Sequence, residues 1–324
     1  MSTPQPDAGG SPTAGGSPTA GALRGRRILV TGASSGIGAA TARVVVAAGG
    51  SVALLARRAS VLDDLAGELE QLPDAHSEPG EPPESGGPPE SGGPLEPDEP
   101  PEPDEPPEPG EPAGPDHPAG RAASGSVQSA MPRVVVVPAD VVDAGACRAA
   151  VGRAADELGG LDGLVNAAGV LRPGSTLDGD PDDWQLTFDV NVRGVLHVTA
   201  AAADHLRTAA ANGTGADVVN VSSMSGRRLG STPMAVYAAS KAAVHMVSEG
   251  MRREFAPAGV RLAVVSPGIV ATDLFSDDEM SRQLAGTAAE VGLDAVDVAR
   301  AIVELLAAPP HVVHHEIALR HIGQ

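Results

Sequence analysis

The 324-residue sequence holds one tyrosine and one lysine, Tyr237 and Lys241, and both lie in the stretch VYAASKAA. Residues at i and i+4 of a helix share a face, with Cβ atoms about 5–6 Å apart, so the phenol and the ammonium can act on each other. A cation beside a phenol favours the phenolate by about 1–3 units, starting from a reference pKa of about 10. Such a group suits general acid–base work on a carbonyl or alcohol oxygen. The same spacing also arises in an amphipathic helix that buries a tyrosine and lets a lysine snorkel to solvent.

A second candidate is TGASSGIG, whose glycines Gly32, Gly36 and Gly38 fall between the β-branched run RRILV and an Ala-rich helical stretch ending at Gly49 and Gly50. Glycines there let backbone N–H groups approach a pyrophosphate, and the following helix N-terminus favours its charge. Glycines also serve ordinary tight turns. Beyond the next apolar run, SVALLARR, stand Arg57 and Arg58, and no acidic residue follows until Asp63. An acidic side chain there would accept from a ribose 2′-hydroxyl; an arginine fork suits a 2′-phosphate and stacks on adenine.

The elements that must hold these residues alternate in type. SVLDDLAGELEQL reads as a helix with Ser60 as its candidate N-cap. RVVVVPAD reads as the next strand, followed by strands in LDGLVNAAG, ADVVNVSS and RLAVVSPG between helical stretches. Continuous apolar strands alternating with helices predict an α/β fold with one doubly wound, Rossmann-type parallel sheet covered on both faces. Two segments stand apart. Residues 1–22 repeat GGSPTA and read as a flexible Gly/Ser/Pro tail. Residues 73–131 repeat PPESGG and PDEPPE and are too rich in Pro, Gly and Glu to bury a core, so they read as a disordered insertion within the domain of residues 23–324. What remains suffices for one sizeable domain.

Several motifs together resemble the short-chain dehydrogenase/reductase family, over nearly all of residues 24–323 outside the insertion. TGASSGIG is similar to its TGxxxGxG cofactor loop and YAASK to its YxxxK pair. NAAG, Asn166 to Gly169, is similar to NNAG, with Ala167 replacing the second Asn, and SPGIVAT is similar to PGxxxT. The resemblance implies a catalytic set of Asn191, Ser223, Tyr237 and Lys241, with Asn191 on a helix that also presents Trp184 and Phe188. In it the lysine also grips the nicotinamide ribose, and the asparagine holds a water that relays protons. It implies cofactor contacts from Thr31, Gly32, Ser34, Ser35, Gly36, Ile37 and Gly38 in the glycine loop, and from Arg57 and Arg58 after the second strand. Further contacts are implied for Asp140 and Val141 beside the adenine, and for Asn166, Ala167, Ala168 and Gly169. Tyr237, Lys241, Pro267, Gly268, Ile269 and Thr272 complete the set at the nicotinamide end. The implied activity is interconversion of a secondary alcohol and a ketone with NADP, in preference to NAD. The ending HEIALRHIGQ resembles a subgroup acting on small 3-hydroxy acids. A homodimer or homotetramer formed through the helices bearing Asn191 and Tyr237 is implied as well. The competing reading is a dinucleotide-binding scaffold that recruits partners through its acidic insertion.

Composition excludes other classes. The formal net charge is −20, yet fourteen acidic residues and no Lys or Arg lie between Asp74 and Asp116, leaving about −6 elsewhere. A nucleic-acid partner needs clustered cations and is not expected. A single cysteine, Cys147, cannot form an intramolecular disulfide, which suits the cell interior. With neither a signal-peptide pattern nor an apolar run long enough to span a membrane, the expected location is cytoplasmic. His311, His314, His315 and His321 alternate across faces of a strand pattern, and no metal site is expected. Arg172, Arg227 and Arg228 offer charge to an anionic substrate, or are simply surface arginines.

Overall fold

The computed structural model describes residues 21–72, 131–272 and 279–324. Apart from Gly21, Ala22 and Met131, the tail and the insertion read from composition lie outside the described residues, as do residues 273–278.

The chain opens with strand β1, Arg27–Thr31, whose residues Ile28, Leu29 and Val30 are fully buried, as a strand covered on both faces requires. A tight turn leads into helix α1, Gly36–Ala47. Strand β2, Ser51–Leu55, helix α2, Ala59–Glu70, and strand β3, Val134–Val136, follow. Next come helix α3, Ala144–Leu158, strand β4, Gly163–Asn166, and helix α4, Pro181–Phe188. A π-helical turn, Asp189–Arg193, joins α4 to helix α5, Gly194–Ala211. Strand β5, Asp217–Val221, precedes helix α6, Ala235–Phe255, and strand β6, Arg261–Pro267. Helices α7, Glu279–Val291, and α8, Ala295–Leu306, then lead to strand β7, Glu316–Leu319.

All seven strands are parallel, in the order β3-β2-β1-β4-β5-β6-β7. Val45 of α1, Leu62 of α2, and Ile302 and Leu306 of α8 pack on one face of the sheet. Val151 of α3, Val198 and Leu206 of α5, and Phe255 of α6 cover the other. This is the doubly wound α/β architecture that the alternation of elements predicts. The strand order reverses between β1 and β4, and a parallel sheet opens its ligand crevice at such a point, beyond the C-terminal strand ends.

The opposite end is pinned by charge. Arg26 reaches Asp162 at 2.9 Å and Asp217 at 2.7 Å, Arg27 meets Asp162 at 2.9 Å, and Arg261 meets Asp217 at 2.7 Å. Both carboxylates are buried, and their pairing ties β1, β4, β5 and β6 together away from the crevice.

Two local expectations are corrected. Ser60 does not cap α2: the helix starts at Ala59 with Arg58 in the N-cap position, and no side chain caps it. The third strand is only three residues long, although Val137 and Ala139, on either side of Pro138, still donate to Leu54 and Ala56; the missing N–H of Pro138 falls on the side of this edge strand that is unpaired among the described residues.

Candidate active site

The crevice is a cleft of about 1170 Å³. At one end, Gly32, Ser34, Ser35, Gly36 and Ile37 line it. Gly32 has a φ of +67°, and a Cβ there would stand 2.8 Å from the backbone of Ala168, so only glycine lets β1 turn this close to the end of β4. Thr31 locks the same junction: its hydroxyl accepts from the N–H groups of Ala167 and Ala168, each at 3.1 Å. Ser35, at the N-cap of α1, is extended and makes no capping bond, whereas Asp143 and Asp180 cap α3 and α4. The first amides of α1 are therefore not taken up by a side-chain cap, which suits a phosphate group. Arg57 and Arg58 line the same end, and Arg58 Nη2 donates to Ser34 Oγ at 3.0 Å. Asp140 and Val141 form the adjacent wall, Asp140 fixed by accepting from the Val142 N–H at 3.1 Å.

At the other end, Ser223, Tyr237 and Lys241 face the cleft together with Gly169, Pro267 and Gly268. Tyr237 and Lys241 lie one turn apart on α6 and are 6% and 5% exposed. The Lys241 ammonium sits 5.9 Å from the centroid of the Tyr237 ring and donates to the Val221 carbonyl at 3.0 Å. Burial pushes the phenol up to about 12, against which a hydrogen bond from Ser223 favours the phenolate. Burial also drives the ammonium down to about 8. This corrects the expectation of a phenol lowered by its neighbouring cation: in this setting desolvation of the phenolate outweighs what lowers it.

Asn191 is fully buried in the π-helical turn, where the Gly194 N–H donates five residues back to Asp189. That extra residue per turn aims its carboxamide at the loop after β4. Asn191 Nδ2 donates to the Val170 carbonyl at 2.9 Å and to Ser240 Oγ at 3.0 Å, and its Oδ1 accepts from the Val170 N–H at 2.8 Å. Ser240 in turn donates to the Tyr237 carbonyl at 2.7 Å, so Asn191 braces the α6 turn that carries the phenol.

Of the sequence-predicted cofactor residues, Ala167, Ala168, Ile269 and Thr272 also line the cleft, whereas Thr31, Gly38 and Asn166 do not. Gly38 is needed for packing, since a Cβ would come within 2.3 Å of the Gly32 carbonyl oxygen. Asn166 faces the interior: its Nδ2 donates to Thr199 at 3.0 Å and to Asn220 at 2.8 Å. Of the three arginines offered to a substrate, Arg172 and Arg228 line the cleft, Arg172 while paired with Asp183, and Arg227 pairs with Glu316 instead. Sequence reasoning missed Arg320 and Gln324, which join the cleft wall. Gln324 Oε1 accepts from the Ile269 N–H at 3.0 Å, and its Nε2 donates to Ile269 and Val291 carbonyls at 2.9 and 2.7 Å. Both lie in the ending HEIALRHIGQ, but nothing in that stretch assigns them to the cleft; β7 brings them beside Pro267–Gly268 by pairing with β6.

Among the described residues no three of His, Cys, Asp and Glu converge as a metal's ligands would, and no helix is long and apolar enough to cross a membrane. A parallel sheet with a glycine-lined, uncapped helix start at its switch point, and a buried Tyr–Lys–Ser group at the far end of the same cleft, defines a dinucleotide-binding α/β protein equipped for proton transfer. The family profile of the short chain dehydrogenases matches residues 26–78 and 117–283, and the chain belongs to this family. An uncharacterized oxidoreductase of Staphylococcus saprophyticus is 33% identical over 165 residues, which are 51% of this chain and 65% of that protein. A short chain dehydrogenase from Burkholderia cenocepacia, solved in complex with NADP, is similar at 27% identity and a TM-score of 0.66, covering 93% of this chain and 98% of that one. A blue fluorescent protein from a metagenomic library, solved with NADPH, is similar at 26% identity and a TM-score of 0.64, covering 92% and 98%. The match thus spans just under two thirds of the staphylococcal relative and nearly all of the two solved chains. Membership places the chain among the NAD(P)-dependent oxidoreductases, and its glycine cradle and uncapped α1 fit a nicotinamide dinucleotide.

Proposed function

We propose that the protein is an NADP-dependent oxidoreductase interconverting a secondary alcohol and a ketone, with Tyr237 as the general acid and base. The observation that carries this reading is the convergence of Ser223, Tyr237 and Lys241 in one buried end of the cleft. Such a cofactor, when bound, supplies or accepts hydride at the carbon; the protein must manage the oxygen. In reduction, Tyr237 donates its proton to the oxygen as charge develops there, and burial keeps the phenol protonated and ready to do so. Ser223 donates a hydrogen bond to the same oxygen and stabilises the developing charge. In oxidation, the roles reverse. Lys241, beside the phenol, favours the phenolate when it carries its proton, and Asn191 fixes the helix turn that presents both. Gly32, Ser34 to Ile37, Asp140, Val141, Ala167 to Gly169, Pro267 to Ile269 and Thr272 would hold the dinucleotide, with Thr31, Gly38 and Asn166 supporting them from behind. The choice of NADP rests on Arg57 and Arg58 at the glycine-loop end, and it agrees with the NADP and NADPH held by the two solved relatives.

The same reading includes assembly as a homodimer or homotetramer, supported by Leu196 of α5 and Met246 of α6, large apolar side chains left exposed on these helices. A cytoplasmic location remains part of it. The decisive experiment follows NADPH oxidation and NADP reduction over a panel of ketones and secondary alcohols, small 3-hydroxy acids included. Turnover with at least one pair is expected, and Tyr237→Phe is expected to lower it by about 10²–10⁴-fold while dinucleotide binding persists. Turnover retained in Tyr237→Phe would remove the phenol from the mechanism.

A further inference from the structure

Glu316 opens β7 and, although it falls in the ending HEIALRHIGQ, has been given no role so far. Its carboxylate is nevertheless where four segments meet. Arg227, at the end of the turn that begins with Ser223, donates from Nε to Glu316 Oε1 at 2.6 Å, and its Nη2 closes the fork onto Oε2. Ser266, the residue before Pro267–Gly268, donates from its hydroxyl to Oε1 at 2.7 Å. His245, one turn beyond Lys241 on α6, stands with Nδ1 3.8 Å from Oε1 and Nε2 3.3 Å from Ser266 Oγ. The main chain of Ser223 raises the pKa of the same imidazole. Burial pushes that imidazole down; among charged neighbours Glu316 raises it, and Arg227 and Lys241 lower it.

The turn held in this way carries the serine of the active site, and it lies directly on α6. A Cβ on Gly226 would stand 2.7 Å from the Lys241 carbonyl carbon, and Ser222 donates to the Lys241 carbonyl oxygen at 2.9 Å. The turn thus rests on α6 at Ser222, just before it, and at Gly226 within it, and its last residue is fixed through Arg227. A bidentate guanidinium–carboxylate pair sets geometry as well as energy. The side chains of Arg227 and Glu316 are 45% and 21% exposed, so water screens the pair and its share of global stability is small. Its leverage lies in geometry, where a displacement of about 1 Å at a reacting group costs about 10²-fold in rate.

We propose that Glu316 is a positioning residue of the active site: by clamping Arg227, Ser266 and His245 it fixes the Ser223 hydroxyl relative to Tyr237. The part concerning catalysis rests on the reading of Ser223 given above; the clamp itself does not.

The test compares the full-length protein with its Glu316→Gln, Glu316→Asp and Arg227→Gln variants and the Arg227→Gln/Glu316→Gln double variant, by two measurements. In amide hydrogen exchange followed by mass spectrometry without substrate, the peptide spanning residues 223–228 of Glu316→Gln is expected to exchange about tenfold faster, with β1 unchanged. In steady-state kinetics, kcat of Glu316→Gln is expected to fall about tenfold with KM for NADPH within about twofold, Glu316→Asp to recover part of the loss, and the double variant to lose no more than Glu316→Gln alone. Unchanged exchange in the turn, or an equal rise throughout the protein, overturns the clamp. Wild-type kcat in Glu316→Gln, or additive losses in the double variant, overturns its role in catalysis. If the wild type turns over no ketone or alcohol while the turn responds as expected, the clamp stands and the oxidoreductase reading of the site falls.

Discussion

Burial acts on Lys241 and Tyr237 in opposite senses, and the sign decides how each affects stability. The ammonium titrates at about 8 in the folded protein against 10.5 for the free side chain, so between these values the unfolded chain binds more protons. Stability therefore rises with pH across that window, and below it the full cost of burying the charge persists. The phenol, raised from 10.0 to about 12, acts in the reverse sense, removing stability between those values, so the two windows barely overlap. Measured by urea unfolding without dinucleotide, the stability difference between wild type and Lys241→Met should move in favour of wild type by about 2 kcal/mol from pH 8 to pH 10. A difference that stays flat would mean that the ammonium is solvated. At the opposite end of the cleft, Arg58 is drawn to Ser34, leaving exposed Arg57 the freer of the two to meet a phosphate. Arg57→Asp should raise KM for NADPH by about tenfold or more and change that for NADH little, because it removes a charge-assisted bond that only the 2′-phosphate accepts. Equal losses with both cofactors would refute this assignment.

The loop after β6 shows how an element can be held by a side chain from elsewhere in the chain. Gln324 hydrogen-bonds both backbone groups of Ile269 and the carbonyl of Val291 at the end of α7, and a Cβ on Gly268 would stand only 2.0 Å from its Oε1. Three hydrogen bonds of about 1 kcal/mol each order the stretch from Pro267 to Thr272, which lines the cleft proposed to hold the dinucleotide. Gln324→Ala should therefore weaken NADPH binding by about tenfold in a fluorescence titration and move the thermal midpoint by only a few degrees; unaltered affinity would show that the loop orders itself. This contact also marks the limit of what the sequence discloses. The glycine loop was legible because β1, its turn and α1 are contiguous, so Gly32 and Gly36 stand in their structural context within the string itself. Tyr237 and Lys241 were legible because a helix converts spacing into proximity. Glu316, Arg320 and Gln324 stand in the noted ending HEIALRHIGQ, yet their place at the cleft was not legible, because β7 reaches it only through pairing with β6, a tertiary event. Ser60 misled because its intrinsic preference for an N-cap yields to Arg58, whose backbone starts α2 while its side chain holds Ser34. The length of the third strand was overread because an apolar run does not reveal where regular pairing gives way to separate hydrogen bonds, such as those of Val137 and Ala139.

At the scale of the whole molecule, the acidic segment falls, in sequence, between helix α2 and strand β3. Helix α2 ends at Glu70 and β3 begins at Val134, which among the described residues is an edge strand paired with β2 through Val52, Ala53 and Leu54. The glycine loop, the Ser223, Tyr237 and Lys241 group, and the charges that pin the sheet, Arg26, Arg27, Arg261, Asp162 and Asp217, are all supplied by other parts of the chain. Replacing residues 73–130 with a Gly/Ser link of about eight residues should therefore preserve both the sheet and the site. Each halving of a connection relieves about 0.6 kcal/mol of closure cost, so the shortened protein should be more stable by about 1–2 kcal/mol. The expected result is an unchanged far-ultraviolet circular dichroism spectrum, a thermal midpoint raised by a few degrees, and kcat and KM within about twofold of wild type. Loss of the folded spectrum would show that the segment supports β3. Loss of turnover in a protein that still folds would instead bring the segment into the site, and the reading of the cleft as self-sufficient would fail.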